Sequence, residues 1–150
     1  MPSVSSPASS RVREARDGGD EPVWMDRILV DAIHADLLES YGGLPGVRDE
    51  NALESALARA RNRFYYEPEA DLFALAAAYG FALATSHGFS DGNKRTALVV
   101  MTVFLVRSGF LVDVPEPTAV SLMLDVATRR MSEDELAAWL RAHSVPVREG

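Results

Sequence analysis

The 150-residue sequence contains no cysteine, which excludes both a disulfide framework and a metal site built from thiolates. No run approaches the ~20 consecutive apolar residues that a membrane-spanning helix requires, so we expect no membrane anchor. The N-terminus has no basic segment followed by an apolar one, so we expect no secretory signal and a cytoplasmic location. The net charge of −7 argues against a general surface for DNA, because binding a phosphate backbone takes many lysine and arginine contacts.

The alternation of apolar and polar residues that indicates strands is also lacking, and there is no internal repeat. Apolar residues instead recur at helical spacing, and the length fits one domain with its own core. The pattern predicts an all-α fold of about six helices, over about 25–41, 50–61, 72–86, 93–107, 117–128 and 132–143. We expect Asp49 and Asp71 to cap the second and third helices, and Ser132 with Glu135 to form a capping box on the sixth. A short extended segment is predicted at 110–114.

The two ends of the chain differ from its middle in composition. Residues 1–22 are rich in serine, proline, glycine, arginine and aspartate, and cannot bury enough apolar surface to offset the entropy of ordering. We therefore predict a disordered tail over 1–22, a folded domain over 23–144 and a frayed C-terminal tail over 145–150.

A stretch of ten residues that begins at His87 lies between two apolar, alanine-rich helices that we expect in the core. It carries a carboxylate at Asp91 and two cations at Lys94 and Arg95, where a simple turn would suffice. The next helix starts after Gly92, so its first backbone N–H groups lack intrahelical partners and its dipole attracts anions. Each of the two cations opposes that dipole by ~0.3–1 kcal/mol, which indicates that this helix end binds an anion.

The residue types of this stretch suit chemistry on a substrate that contains phosphate. Gly92 lets the backbone approach a phosphate closely, and Asp91 offers the kind of oxygen ligand that Mg²⁺ uses beside substrate phosphates. His87 ends the preceding helix and can take a proton from an incoming hydroxyl. A purely structural turn is the alternative, because Asp91 and Asn93 are good capping residues and His87 can satisfy carbonyls at a helix end.

Three other features leave their roles open. His34, in the first helix, is either a ligand or a packing or surface residue. The loop over 42–49 either contacts substrate or is a tight connection set by glycine and proline. Arg59, Arg61 and Arg63 form either a solvated basic run or a surface that steers an acidic or phosphorylated partner.

The stretch from His87 resembles the signature of the Fic/Doc superfamily, His-x-Phe-x-(Asp/Glu)-(Gly/Ala)-Asn-x-x-Arg. The matching positions are His87, Phe89, Asp91, Gly92 and Asn93, followed by Lys94 and Arg95 in the spacing of the Doc (death-on-curing) form. Members that transfer AMP typically have Gly-Asn-Gly-x-Arg instead. Upstream, 41–49 and 53–56 also look like Doc-type toxins, so the resemblance extends over roughly 24–142.

The resemblance implies a compact Fic/Doc-like helical domain, with the active-site loop between two central helices and a short flap over 64–69. The alternative for 64–69 is a loop whose aromatic residues fill the core. The implied activity is that of a toxin of a type II toxin–antitoxin system, which transfers the γ-phosphoryl group of ATP to a protein hydroxyl. In the family the reported target is a threonine of elongation factor Tu, and its modification arrests translation. A Phd-like antitoxin that folds on binding would neutralise such a toxin.

The resemblance also implies a role for each matched residue. His87 would be the general base, Asp91 would hold Mg²⁺, and Gly92 with the helix amides would cradle a phosphate of ATP. Asn93 would orient the loop and a phosphate, while Phe89 would anchor the loop in the core. These assignments come from the family pattern and not from spacing alone.

The two cations bear on which group is transferred. Lys94 and Arg95 would neutralise charge that develops during the transfer. The side chain of Lys94, where AMP-transferring members have glycine, should block the backbone approach to one phosphate and favour phosphoryl transfer. AMP transfer to a protein hydroxyl and a catalytically inert antitoxin-binding module are the alternatives. The spacing of Ser10 and Glu14 resembles a Fic inhibitory motif, but Ala15 departs from it, so we expect inhibition by a separate protein.

Overall fold

The computed structural model describes residues 21–148, in which six α-helices and one two-stranded sheet occur. The helices are α1 Arg27–Tyr41, α2 Glu50–Tyr66, α3 Leu72–Ser86, α4 Asn93–Arg107, α5 Glu116–Ala127 and α6 Glu133–His143. The strands are β1 Phe110–Val112 and β2 Ser144–Pro146. The predicted all-α class is therefore confirmed. None of the helices in this part of the chain is both long and apolar enough to cross a membrane.

Helix α3 forms the centre of the fold. It is apolar on every side, with eleven of its 15 residues buried, and it packs against α2, α4, α5 and α6. Small residues let its neighbours come close, since a Cβ added at Gly80 would lie 2.5 Å from Sδ of Met101 on α4. The loop that joins α3 to α4 is therefore held by two helices that pack closely in the core.

The predicted helix starts are confirmed by their side-chain caps. The carboxylates of Asp49 and Asp71 each accept from the backbone amide three residues further on, at 3.0 and 2.8 Å. Ser132 and Glu135 form the predicted capping box at the start of α6. Each cap contributes ~1 kcal/mol and fixes where its helix begins.

Helix α2 is longer than predicted. The expected end near residue 61 is wrong, because the helix continues to Tyr66. Phe64 packs edge-on against Trp24, with ring centroids 5.5 Å apart, and this contact favours the extra helical turn. Pro68 disfavours helical conformation only at Glu67, the residue before it, and therefore gives no reason for the helix to end as early as residue 61.

The basic run of α2 has a structural role. Arg63 is only 9% exposed and donates to Glu133 at 2.7 Å and to Glu67 at 3.1 Å. Arg59 also donates to Glu133, at 3.2 Å. Interpreting the run as solvated is therefore wrong for Arg63, which joins α2 to the start of α6.

The C-terminal residues up to 147 belong to the fold, contrary to the predicted frayed tail. Strand β2 pairs antiparallel with β1, and the Val147 amide donates to the Gly109 carbonyl at 2.9 Å. The expected boundary at 144 is too early, because this pairing partner lies more than thirty residues back along the chain. The predicted tail up to residue 20, including the motif resemblance at 10–14, lies outside the described residues.

Candidate active site

Two residues with positive φ bound the loop between α3 and α4. His87 (φ 53°, ψ 40°) ends α3, and Gly92 (φ 77°, ψ 17°) precedes α4. The Gly92 carbonyl accepts the amide of Thr96 at 3.0 Å, which begins the helical hydrogen bonds. Gly92 has no side chain with which to cap the earlier amides of α4, and those amides form the positive end of the helix dipole.

Asn93 holds the loop in shape. Its Oδ1 accepts from the Phe89 amide and its Nδ2 donates to the Phe89 carbonyl, each at 3.0 Å. Phe89 is 2% exposed, so its ring is anchored in the core as expected. The side chain of Asn93 therefore orients the loop backbone.

A second backbone segment lies against the loop. Residues 46–49 run antiparallel to 88–90, with an isolated β-bridge between Val47 and Phe89. Backbone hydrogen bonds of 2.9 to 3.1 Å join the two segments on either side of this bridge. The segment 42–49 is thus more than a helix connection, because it forms one wall of the loop.

The segment 64–69 does not lie beside the loop, so the flap predicted there is not found at that place. The loop packs on α2 through Gly88, where an added Cβ would lie 2.8 Å from Cβ of Leu53. At 1.5 Å per residue, Tyr66 is about 20 Å further along α2 than Leu53. The extended backbone beside the loop is instead the segment 46–49.

His34 is buried under the loop, with 6% of its surface exposed. Its ring stacks on Phe89, with centroids 3.7 Å apart and an angle of 10° between the ring planes. Its Nε2 lies 2.8 Å from the carbonyl oxygen of Asp91. Of the roles left open by the sequence, His34 therefore has the packing role, and it also forms a hydrogen bond to the loop backbone.

The Asp91 carboxylate is held by two backbone amides, of Gly92 at 2.9 Å and of Leu44 at 3.2 Å. An ionised carboxylate has about four acceptor positions, so it can accept these bonds and still contact a cation. Residues 21–148 contain no group of three or more side chains able to hold a metal ion. The site therefore fits Mg²⁺ bound by one carboxylate, with substrate phosphate and water as its other ligands.

The structure brings the sequence-predicted site residues together around one concavity of about 270 Å³, which is lined by His87, Asp91, Gly92, Asn93, Lys94 and Arg95. Ala84 and Ala127 form an apolar wall. The lining contains two cations and one carboxylate, so its net positive charge suits an anionic ligand. The guanidinium of Arg95 lies 4.0 Å from the centroid of the Tyr41 ring, a cation–π contact that restrains it beside the concavity.

Several residues of the site were not predicted from the sequence. Ser90 lines the concavity, Leu44 binds the Asp91 carboxylate through its amide, and Tyr41 supports Arg95. The signal that could have found the last two is the adjacent Gly42-Gly43 pair, since glycines mark places where backbones approach each other closely.

Fold and site together define a class of protein: a small helical domain whose loop between two core helices presents an imidazole, a carboxylate and two cations to one concavity. The family model described as Fic/DOC family matches residues 24–105. The chain belongs to the Fic/DOC family, which confirms the resemblance of the loop sequence.

Two relatives match most of the chain. It is 39% identical over 110 residues to Protein kinase doc of Escherichia phage P1, covering 73% of this chain and 86% of that protein. It is 35% identical over 114 residues to Toxin Doc of Mycolicibacterium smegmatis, covering 74% of this chain and 88% of that protein. The chain is therefore a Doc-type member of the family.

Proposed function

We propose that this protein is a Doc-like toxin that transfers the γ-phosphoryl group of ATP to a hydroxyl of a translation protein, with a threonine of elongation factor Tu as the expected target. One similar protein is named a protein kinase and another a toxin, which supports both parts of the proposal. The observation that carries it is that His87, Lys94, Arg95 and the start of α4 line the same concavity. Positioning groups and electrostatic stabilisers of this kind account for most catalysis of phosphoryl transfer.

In the proposed reaction, the imidazole of His87 accepts the proton of the target hydroxyl as its oxygen attacks the γ-phosphorus. The new bond joins that oxygen to phosphorus, while the bond from phosphorus to the β–γ bridging oxygen breaks and ADP leaves with the electron pair. Lys94, Arg95 and the first amides of α4 stabilise the negative charge of the transferring group and of the leaving ADP. The contact of Arg95 with Tyr41 restrains the guanidinium before the substrate arrives.

Asp91 would hold the magnesium ion that accompanies ATP. When bound, Mg²⁺ supplies charge neutralisation of the phosphates. Gly92 leaves the backbone open for the close approach of a phosphate, and Asn93 keeps the loop in the shape that this approach needs.

AMP transfer is the alternative enzymatic hypothesis, and isotope labelling distinguishes it from phosphoryl transfer. The protein is incubated with purified elongation factor Tu, Mg²⁺ and ATP labelled at either the α or the γ phosphate. Label from the γ position on the factor, with none from the α position, is the expected result. Transfer of the α label would instead support AMP transfer. Mass spectrometry of the factor then identifies the modified residue.

Replacing His87 tests whether catalysis underlies the toxicity. We expect His87→Ala to lower transfer about 10²–10⁴-fold, the usual contribution of a general base. His143→Ala is the matched control, because His143 is also exposed at a helix end. His143 also lies far from the site. Arg141, two residues before it, pairs with Asp71 at the start of α3, and His87 at the other end of that helix is about 24 Å away. A His87→Ala protein that stays fully toxic would favour the inert antitoxin-binding module.

A Phd-like antitoxin is the proposed regulator. Toxin Doc relatives imply an antitoxin partner, and a disordered segment that folds on binding is the mode expected from the resemblance. Growth arrest on expression of this chain alone, relieved by co-expression of a small protein encoded beside it, is the expected result. Harmless overexpression together with the absence of such a neighbour would contradict toxicity.

A further inference from the structure

We propose that His34 is a positioning residue of the active-site loop, which fixes the turn at Asp91 and Gly92 so that the start of α4 meets the substrate correctly. The proposal deepens the proposed function and rests on it for its catalytic consequence. His34 does not line the concavity; it acts through the backbone of the residues that do.

The hydrogen bond of His34 determines its tautomer. A carbonyl oxygen only accepts, so the 2.8 Å contact with the Asp91 carbonyl requires a proton on Nε2. The stacking of His34 on Phe89 keeps the ring plane fixed, with centroids 3.7 Å apart. Together the two contacts allow one orientation of the imidazole, and that orientation holds one defined position of the Asp91 carbonyl.

Asp91 is thereby restrained at both its backbone and its side chain. His34 holds the carbonyl, while the Leu44 amide holds the carboxylate at 3.2 Å. The imidazole also lies below Gly92, since a Cβ added there would be 3.6 Å from both Cδ2 and Nε2 of His34. One side chain of α1 therefore holds the backbone of the residue that would bind Mg²⁺ and lies beside the glycine that opens α4 to phosphate.

Packing alone does not account for an imidazole at this place. A phenylalanine would stack on Phe89 equally well and would avoid the cost of burying a polar ring. The buried polar atom that repays this cost is Nε2, whose partner is the loop carbonyl. The distinguishing feature of His34 is thus its donor, which makes the proposal testable by changing the donor and keeping the ring.

Two substitutions separate the donor from the ring. His34→Phe keeps the stacking and removes the donor, whereas His34→Gln removes the ring and places an amide N–H as many bonds from Cα as Nε2. We expect His34→Phe to unfold near the wild-type temperature but to lower kcat about 10- to 100-fold with little change in KM, because small displacements of reacting groups have effects of this size. His34→Gln should recover most of that kcat. His143→Phe is the control and should behave as wild type.

Two measurements make the outcome independent of catalysis. Amide hydrogen exchange of Phe89 and Ser90 should be faster in His34→Phe and close to wild type in His34→Gln. Nitrogen-15 spectra of the wild-type imidazole should show the proton of His34 on Nε2. Wild-type exchange and kcat in His34→Phe, or equal losses in both variants, would overturn the proposal. If the wild type transfers no phosphate, the proposed function fails, while the exchange rates still decide whether His34 positions the loop.

Discussion

The two neighbouring glycines after α1 offer a sharp test of how the Asp91 carboxylate is placed. A Cβ added at Gly43 would lie 2.9 Å from Oδ2 of Asp91 and 3.0 Å from Cδ2 of Leu38. A Cβ added at Gly42 would meet no heavy atom of the described residues within 4 Å. Both glycines have positive φ, 124° and 79°, so alanine strains the backbone at either position. Gly42→Ala is thus a control that shares the strain of Gly43→Ala but not its contact with the site.

The expected magnitudes follow from these distances. Alanine in such a conformation costs about 1–3 kcal/mol of stability, and both variants should show a loss of this order. At 2.9 Å the new methyl group of Gly43→Ala must displace the carboxylate, which weakens its 3.2 Å bond to the Leu44 amide. Displacement of the oxygen that is proposed to bind Mg²⁺, by a fraction of an ångström to an ångström, should lower transfer about 10- to 100-fold.

The assay measures γ-label transfer as a function of Mg²⁺ concentration, together with thermal unfolding of each protein. Gly43→Ala should need more Mg²⁺ for half-maximal activity and should transfer more slowly at saturation. Gly42→Ala should keep the wild-type Mg²⁺ dependence despite its lower stability. Equal activity in the two variants, whether normal or reduced, would refute the argument that Gly43 leaves space for the Asp91 carboxylate.

Two further predictions concern stability. Gly88→Ala should lower the free energy of unfolding by about 1–3 kcal/mol, because the added Cβ would lie 2.9 Å from the backbone Cα of Leu53. Denaturant titrations measure this loss, and an unchanged midpoint would contradict the close contact of the loop with α2. Burial raises the pKa of the Tyr79 hydroxyl, whose oxygen accepts the Met25 amide at 3.0 Å. The unfolded chain therefore loses this proton first. The contribution of Tyr79 to stability should be constant below about pH 10 and be lost as pH rises towards the folded pKa, a decline that Tyr79→Phe should reduce.

Much of the fold could be predicted because its signals are local. Asp49, Asp71 and Ser132 each cap the helix that their sequence position indicates, since a cap contacts amides only three residues away. The apolar character of α3 also indicated that it would be buried. Helix α3 is buried along almost its whole length, so composition alone was sufficient there.

Three of the wrong predictions share one physical cause, which is contact between distant parts of the chain. Helix α2 runs past residue 61 because Phe64 packs on Trp24, forty residues earlier. Arg63 is buried because Glu133 faces it from the start of α6. Strand β2 exists because β1 offers a partner. No local pattern of residues reports these contacts.

The candidate site divides in the same way. The imidazole, the carboxylate and the two cations that line the concavity come from one short stretch, so the sequence could identify them before their geometry was known. The groups that hold this stretch in place come from α1 and from the segment that follows it, as His34 and Leu44 show. The sequence therefore indicated which reactive groups the site contains, whereas the residues that orient them became known only from the fold.

The start of α4 is where this chain departs from the rules that its other helices follow. Helix α5 begins with a proline in its first turn, and four helices begin with a side-chain cap, from Asp26, Asp49, Asp71 and Ser132. Helix α4 begins instead with an uncapped glycine and two cations, and among residues 21–148 neither cation forms an ion pair. An anion bound there would accept the free amides and neutralise the cations together. The disfavoured start of α4 is thus the physical argument for the proposed phosphate site at this end of the helix.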